Sequence, residues 1–132
     1  MSGQEKIIRD YFSKVKNISI VYLFGSVAGA NERTDSDIDI AVLSDRGKLS
    51  FEEKIKMITD LIQRTNREID LIDLNDVSCI LQMQVLKKGK LLICRDEKKR
   101  IQFQTRVVQS YLDLKKIRKP IEEQLKNVSL YG

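Results

Sequence analysis

Two aspartates, Asp37 and Asp39, and a glycine–serine pair, Gly25-Ser26, are the residues of this chain whose types and spacing could do chemistry. Gly25-Ser26 follows an apolar run, Ile18 to Phe24, that reads as a buried strand. Asp37 and Asp39 open a second apolar run, Ile38 to Leu43, that reads as another. Side chains alternate faces along a strand, so Asp37 and Asp39 point the same way, with Ala41 next along. Two carboxylates at the edge of a core repel each other and lose hydration, and such a pair needs a strong compensating partner. Mg2+ suits that role, because it takes a few carboxylate oxygens and fills its shell with water and phosphate. Glycine lets backbone N–H groups approach a phosphate closely, and the serine hydroxyl adds a donor. A phosphate cradle beside metal-binding carboxylates is the equipment for phosphoryl or nucleotidyl transfer. Alone, each feature reads as an ordinary turn or acidic pair. Placed one at each strand end with ten residues between them, they point to a nucleotide site.

A third carboxylate is expected from Glu68 to Leu74, which reads as another strand. Asp70 and Asp73 differ by an odd step and must face opposite sides of the sheet, so only one can join Asp37 and Asp39. Asp70, between Ile69 and Leu71, is the expected member, while Asp73 near the strand end reads as solvated or as a cap for the next segment. The chain contains no histidine, which excludes a histidine general base, histidine–metal ligation and a Ser-His triad. Cys79 and Cys94 lack metal-type spacing and read as core thiols.

Gly25-Ser26, ten residues, then Asp37-Ile38-Asp39 resembles the G-S-x10-D-x-D signature of the DNA polymerase β-like nucleotidyltransferases. Ile69-Asp70-Leu71-Ile72-Asp73-Leu74 resembles the corresponding strand of the minimal members of that superfamily, and Asp70 matches its first aspartate. Gly89-Lys90-Leu91-Leu92 and Tyr111-Leu112-Asp113-Leu114 are similar to the tail of the MntA-type adenylyltransferase antitoxins. The resemblance implies an α/β nucleotidyltransferase fold, a small mixed sheet backed by helices with a helical C-terminal tail. It further implies two Mg2+ ions on Asp37, Asp39 and Asp70, ATP as the donor with its phosphates on Gly25 and Ser26, and AMP transfer to a tyrosine of a HEPN-family toxin. Where the family often reads G-S-x-A-R-G, this chain has Ala28-Gly29-Ala30, without the arginine and with the second glycine displaced.

Periodicity gives the scaffold around these residues. Ile7, Ile8, Tyr11, Phe12 and Val15 form a helical stripe over residues 4–16. A short helix is expected over Val27 to Asn31. Ser50-Phe51-Glu52-Glu53 is a capping box opening a helix to about Asn66, with Ile55, Ile58, Leu61 and Ile62 inward. Asn75-Asp76 is expected to cap a helix from Val77 to Lys88, with Ile80, Leu81 and Val85 inward and ended by Gly89. Leu91 to Cys94 reads as a fourth strand. A long helix is expected from Asp96 to about Lys119, where Pro120 breaks it or starts another turn.

The length of 132 residues suits one domain, here divided into a core over 1–94 and a basic helical extension over 95–132 packed on it. The extension carries ten basic and five acidic residues, a net +5, while the first 94 residues balance at fourteen of each. That imbalance suits an acidic protein, nucleotide or RNA, although the tail lacks the aromatic series of single-strand binders. No apolar run reaches membrane-spanning length and the N-terminus lacks a signal peptide's apolar region, so a cytoplasmic protein is expected. Two other readings are compatible with these residues: a nucleotidyltransferase acting on a small molecule, and an antitoxin that neutralises its toxin by binding alone.

Overall fold

The apolar runs pair into one four-stranded sheet in the computed structural model, which describes residues 3–24 and 37–129, with side chains through residue 116. The elements in chain order are α1 (Gly3–Ser13), β1 (Ile18–Phe24), β2 (Ile38–Ser44), α2 (Phe51–Thr65), β3 (Ile69–Asp73), α3 (Cys79–Lys88), β4 (Lys90–Cys94) and α4 (Glu97–Ser129). Strand order is β3-β2-β1-β4. β1 pairs antiparallel with β2 and β4, whereas β2 and β3 are parallel, joined by α2 as the crossover. The sheet is therefore mixed, as expected.

Helices cover both faces, which explains why β1 and β2 read as nearly continuous apolar runs. On one face Val21, Leu23, Ile38, Ile40 and Val42 pack with Ile8 and Phe12 of α1 and Met57 and Leu61 of α2. On the other, Ile20, Tyr22, Ala41 and Leu43 pack with Val85 of α3 and Phe103 and Val107 of α4. Fully burying a side chain such as Phe103 contributes about 1.5–3 kcal/mol, which fixes the first half of α4 to the sheet.

Several boundaries differ from the expectation, each for a local reason. The first helix stops at Ser13, and the Arg95 guanidinium donates to the carbonyls of Phe12, Val15 and Ile18, holding that end against the start of β1. The Ser50–Glu53 capping box is present, and α2 ends on Asn66 in the left-handed region at φ 57°. Its buried line is Met57, Leu61 and Thr65, so Ile55 and Ile62 are exposed rather than inward. The third helix starts at Cys79 with Ser78 as its cap, and Ile80 is exposed. Asn75 does not cap it. Its side-chain amide donates to the Ser44 and Gly47 carbonyls, tying the β3–α3 turn to the β2–α2 turn. Gly89 has extended backbone, and its need for glycine is one of space: an added Cβ would lie 2.5 Å from the Val85 carbonyl oxygen.

The last helix runs unbroken from Glu97 to Ser129 and passes through Pro120. Proline there removes one backbone donor but keeps a helical φ, so the turns on either side continue. Cys79 and Cys94 are free thiols, each half-buried rather than in the core. Among the described residues, no helix is long and apolar enough to cross a membrane.

Candidate active site

Gly25, Ser26 and the short helix expected over Val27 to Asn31 lie outside the described residues. The elements that flank them are placed. β1 ends at Phe24, the ladder partner of Asp39 one residue into β2. Asp37 immediately precedes β2 and is exposed.

The parallel pairing of β2 with β3 sets Ile38 opposite Ile69, Asp39 opposite Asp70 and Ala41 opposite Ile72. Partners in a ladder share a face, so Asp39 and Asp70 project together on the side covered by α3 and α4. Burial pushes the Asp39 carboxyl above the usual carboxylate range, and the charges of Asp70 and then Asp37 push it further. Asp39 is thus close enough to both Asp70 and Asp37 to feel their charges. Asp70 itself is exposed, so the expected cost of desolvation falls on Asp39 rather than on Asp70.

Asp73 goes the other way. It is 1% exposed, and its ladder partner Val42 belongs to the face covered by α1 and α2. Its carboxylate accepts from the Leu49 N–H at 2.7 Å and the Asn75 N–H at 3.0 Å. The residue expected to be solvated or a cap does receive the turn after β3, but as a buried acceptor that fastens the loop before α2 to the end of that strand. The apolar Leu49 after Gly47-Lys48 is the sequence signal that this loop folds inward.

Among the described residues, no group of three or more His, Cys, Asp or Glu side chains is arranged to hold a metal ion by itself. The donor set is nevertheless of one kind, hard carboxylate oxygens, and its mutual repulsion is the electrostatic condition that a divalent cation relieves. Mg2+ is commonly held by one or two carboxylates together with nucleotide phosphates, so a closed cage is not required.

The mixed sheet with paired acids on neighbouring strands defines a nucleotidyltransferase architecture. The chain belongs to the polymerase beta nucleotidyltransferase family, whose model matches residues 5–98. Protein adenylyltransferase MntA of Shewanella oneidensis is 32% identical over 90 residues, covering 68% of this chain and 64% of that protein. A crystal structure of a toxin–antitoxin with AMP-PNP superposes with a TM-score of 0.76 at 28% identity, covering 95% of this chain and 99% of that one. The MNT antitoxin in complex with the tri-AMPylated Shewanella oneidensis HEPN toxin superposes with a TM-score of 0.71 at 27% identity, covering 93% and 95%.

Proposed function

We propose that this chain is a Mg2+-dependent adenylyltransferase that moves AMP from ATP to a tyrosine hydroxyl of a HEPN-family toxin and thereby acts as its antitoxin. The observation that carries the reading is the in-register Asp39–Asp70 pair with Asp37 one step outside the strand, in a chain of this family. The AMP-PNP bound in one structural neighbour and the AMP-modified toxin in another support the donor and the acceptor class.

In this reading Asp37, Asp39 and Asp70 hold two Mg2+ ions, which when bound supply stabilisation of the entering and departing oxygens. Gly25 and Ser26 hold the β- and γ-phosphates of ATP through backbone N–H groups and a hydroxyl. Asp70, the exposed acid on the ladder, receives the proton of the acceptor hydroxyl as its oxygen bonds to the α-phosphorus. The bond from that phosphorus to the β-phosphate oxygen breaks, and pyrophosphate leaves. With no histidine in the chain, a carboxylate is the fitting acceptor for that proton.

The test is incubation of the purified chain with α-labelled ATP, Mg2+ and a small helical HEPN protein from the same organism, a neighbouring reading frame being the first place to seek it. Label is expected on a tyrosine of that protein and absent with Asp37→Asn/Asp39→Asn. Neutralisation of the toxin without label would support a binding antitoxin instead, and label on a small acceptor alone would support the small-molecule enzyme.

A further inference from the structure

Outside the candidate site, the feature left without a role is the outward face of α4. Ile101, Val108 and Leu112 are 52%, 38% and 50% exposed. With Thr105 among them they fall at i, i+4, i+7 and i+11, one line along a helix, whereas buried Phe103 and Val107 hold the side toward the sheet. A depression of about 450 Å3 along this line is bounded by Gln104, Thr105, Val108, Gln109 and Leu112. The same helix carries nine basic and four acidic residues.

Its course matters as much as its composition. α4 leaves β4 at the end of the sheet marked by the Ile20–Cys94 pair. At Tyr111 it reaches Lys87, whose ammonium lies 5.8 Å from the ring centroid, beside the Leu23–Lys90 pair at the other end of the sheet. That is the end at which Phe24, Asp39 and Asp70 stand. Leu112 to Ser129, 18 residues, continue the helix for roughly 27 Å at about 1.5 Å per residue.

We propose that this apolar line and its basic flanks are the docking surface for the protein acceptor, which meets it with an acidic, amphipathic helical face and so reaches the carboxylates from that end. The proposal rests on the reading of the chain as a protein-modifying transferase. Charge selects the occupant. A second copy of the chain would set a net +5 against a net +5. RNA finds no aromatic platform among Ile101, Val108 and Leu112, and an aliphatic line adds nothing to phosphate binding. An acidic helix with its own apolar stripe satisfies both parts of the face, the stripe in the depression and the carboxylates beside the lysines.

The experiment uses the full chain, a variant without the apolar line (Ile101→Gln/Leu112→Gln) and a variant with reversed charge (Lys115→Glu/Lys116→Glu). The binding probe is a fluorescein-labelled synthetic helix with leucines along one face and glutamates beside them, read by anisotropy. The second readout is the KM for the HEPN protein in AMP transfer. Each variant is expected to lose about tenfold or more in affinity for the acidic helix, with the KM rising in proportion and affinity for AMP-PNP unchanged. If the parent modifies no HEPN protein yet binds the acidic helix through this face, the transferase reading fails and the docking surface stands. Transfer at an unchanged KM in both variants would overturn the docking surface and leave the transferase reading intact. Tighter binding of single-stranded RNA or phosphatidylserine vesicles than of the acidic helix would overturn it too, as would a parent dimer that both variants dissolve.

Discussion

Asp39 and Asp70 stand directly opposite each other in the parallel β2–β3 ladder, and Asp73, three residues further along β3, faces the opposite side. One strand therefore supplies an exposed carboxylate to the candidate site and a buried one to the loop that precedes α2.

Asp70→Asn and Asp73→Asn should separate cleanly. Asp70→Asn is expected to lower single-turnover AMP transfer by about a thousandfold or more at saturating Mg2+ and ATP, with nucleotide affinity little changed. Asp73→Asn should retain most of the transfer rate but weaken the bonds from Leu49 and Asn75, at a cost of about 1–3 kcal/mol in urea unfolding. A collapse of transfer in Asp73→Asn with Asp70→Asn near the parent rate would reverse the assignment.

Asp37→Asn/Asp39→Asn should abolish transfer and leave the fold intact. In EDTA the single variant Asp39→Asn should be modestly more stable than the parent at neutral pH, because a half-buried, repelled charge is removed. The folded state raises the Asp39 pKa, so its penalty is present above the folded pKa and disappears as pH falls through that value toward the ordinary carboxylate range. Stability curves of parent and Asp39→Asn should converge on acidification. Curves that diverge at low pH would contradict the electrostatic account.

Gly25→Val should cripple ATP use, since a β-branched side chain blocks the backbone's approach to phosphate. Ser26→Ala should do less, a loss of about 1–3 kcal/mol in ATP binding. Calorimetric titration with AMP-PNP checks both, and parent-like affinity in a folded Gly25→Val would remove the phosphate role.

Gly89→Ala should destabilise the fold by about 1–3 kcal/mol, because the new methyl meets the Val85 carbonyl that the Gly89 N–H bonds at 2.7 Å. Urea midpoints of the two proteins measure it directly, and an unchanged midpoint would show that α3 and β4 can part without cost.

Much of this layout is readable from local signals. Strand β1, the Ser50–Glu53 cap and the odd spacing of Asp70 and Asp73 are written in short runs, and alternation places the two acids without any knowledge of neighbours. What depends on packing is not local. Ile55 and Ile62 carry the same periodicity as Leu61, and only the position of α1 and the sheet determines that the Met57–Leu61–Thr65 line is the covered one. Asn75-Asp76 looks like a helix cap until Ser44 and Gly47 are brought within reach of the Asn75 amide. Pro120 reads as a break or as the start of another turn because the sequence shows the missing donor but not the helical turns continuing on both sides of it.

The parallel pairing that brings Asp39 to Asp70 also sets a sequence of events in time. The two residues are 31 positions apart, and their meeting waits for the whole α2 crossover, whereas Phe24 and Asp39 are 15 apart. Contacts of larger separation close more slowly. In chain order β1 and β2 both precede β3, so the Phe24–Asp39 pair closes the shorter loop and the Asp39–Asp70 pair the longer one. On the proposed reading, the carboxylate set is complete only when the α2 crossover has folded and Asp70 is seated opposite Asp39.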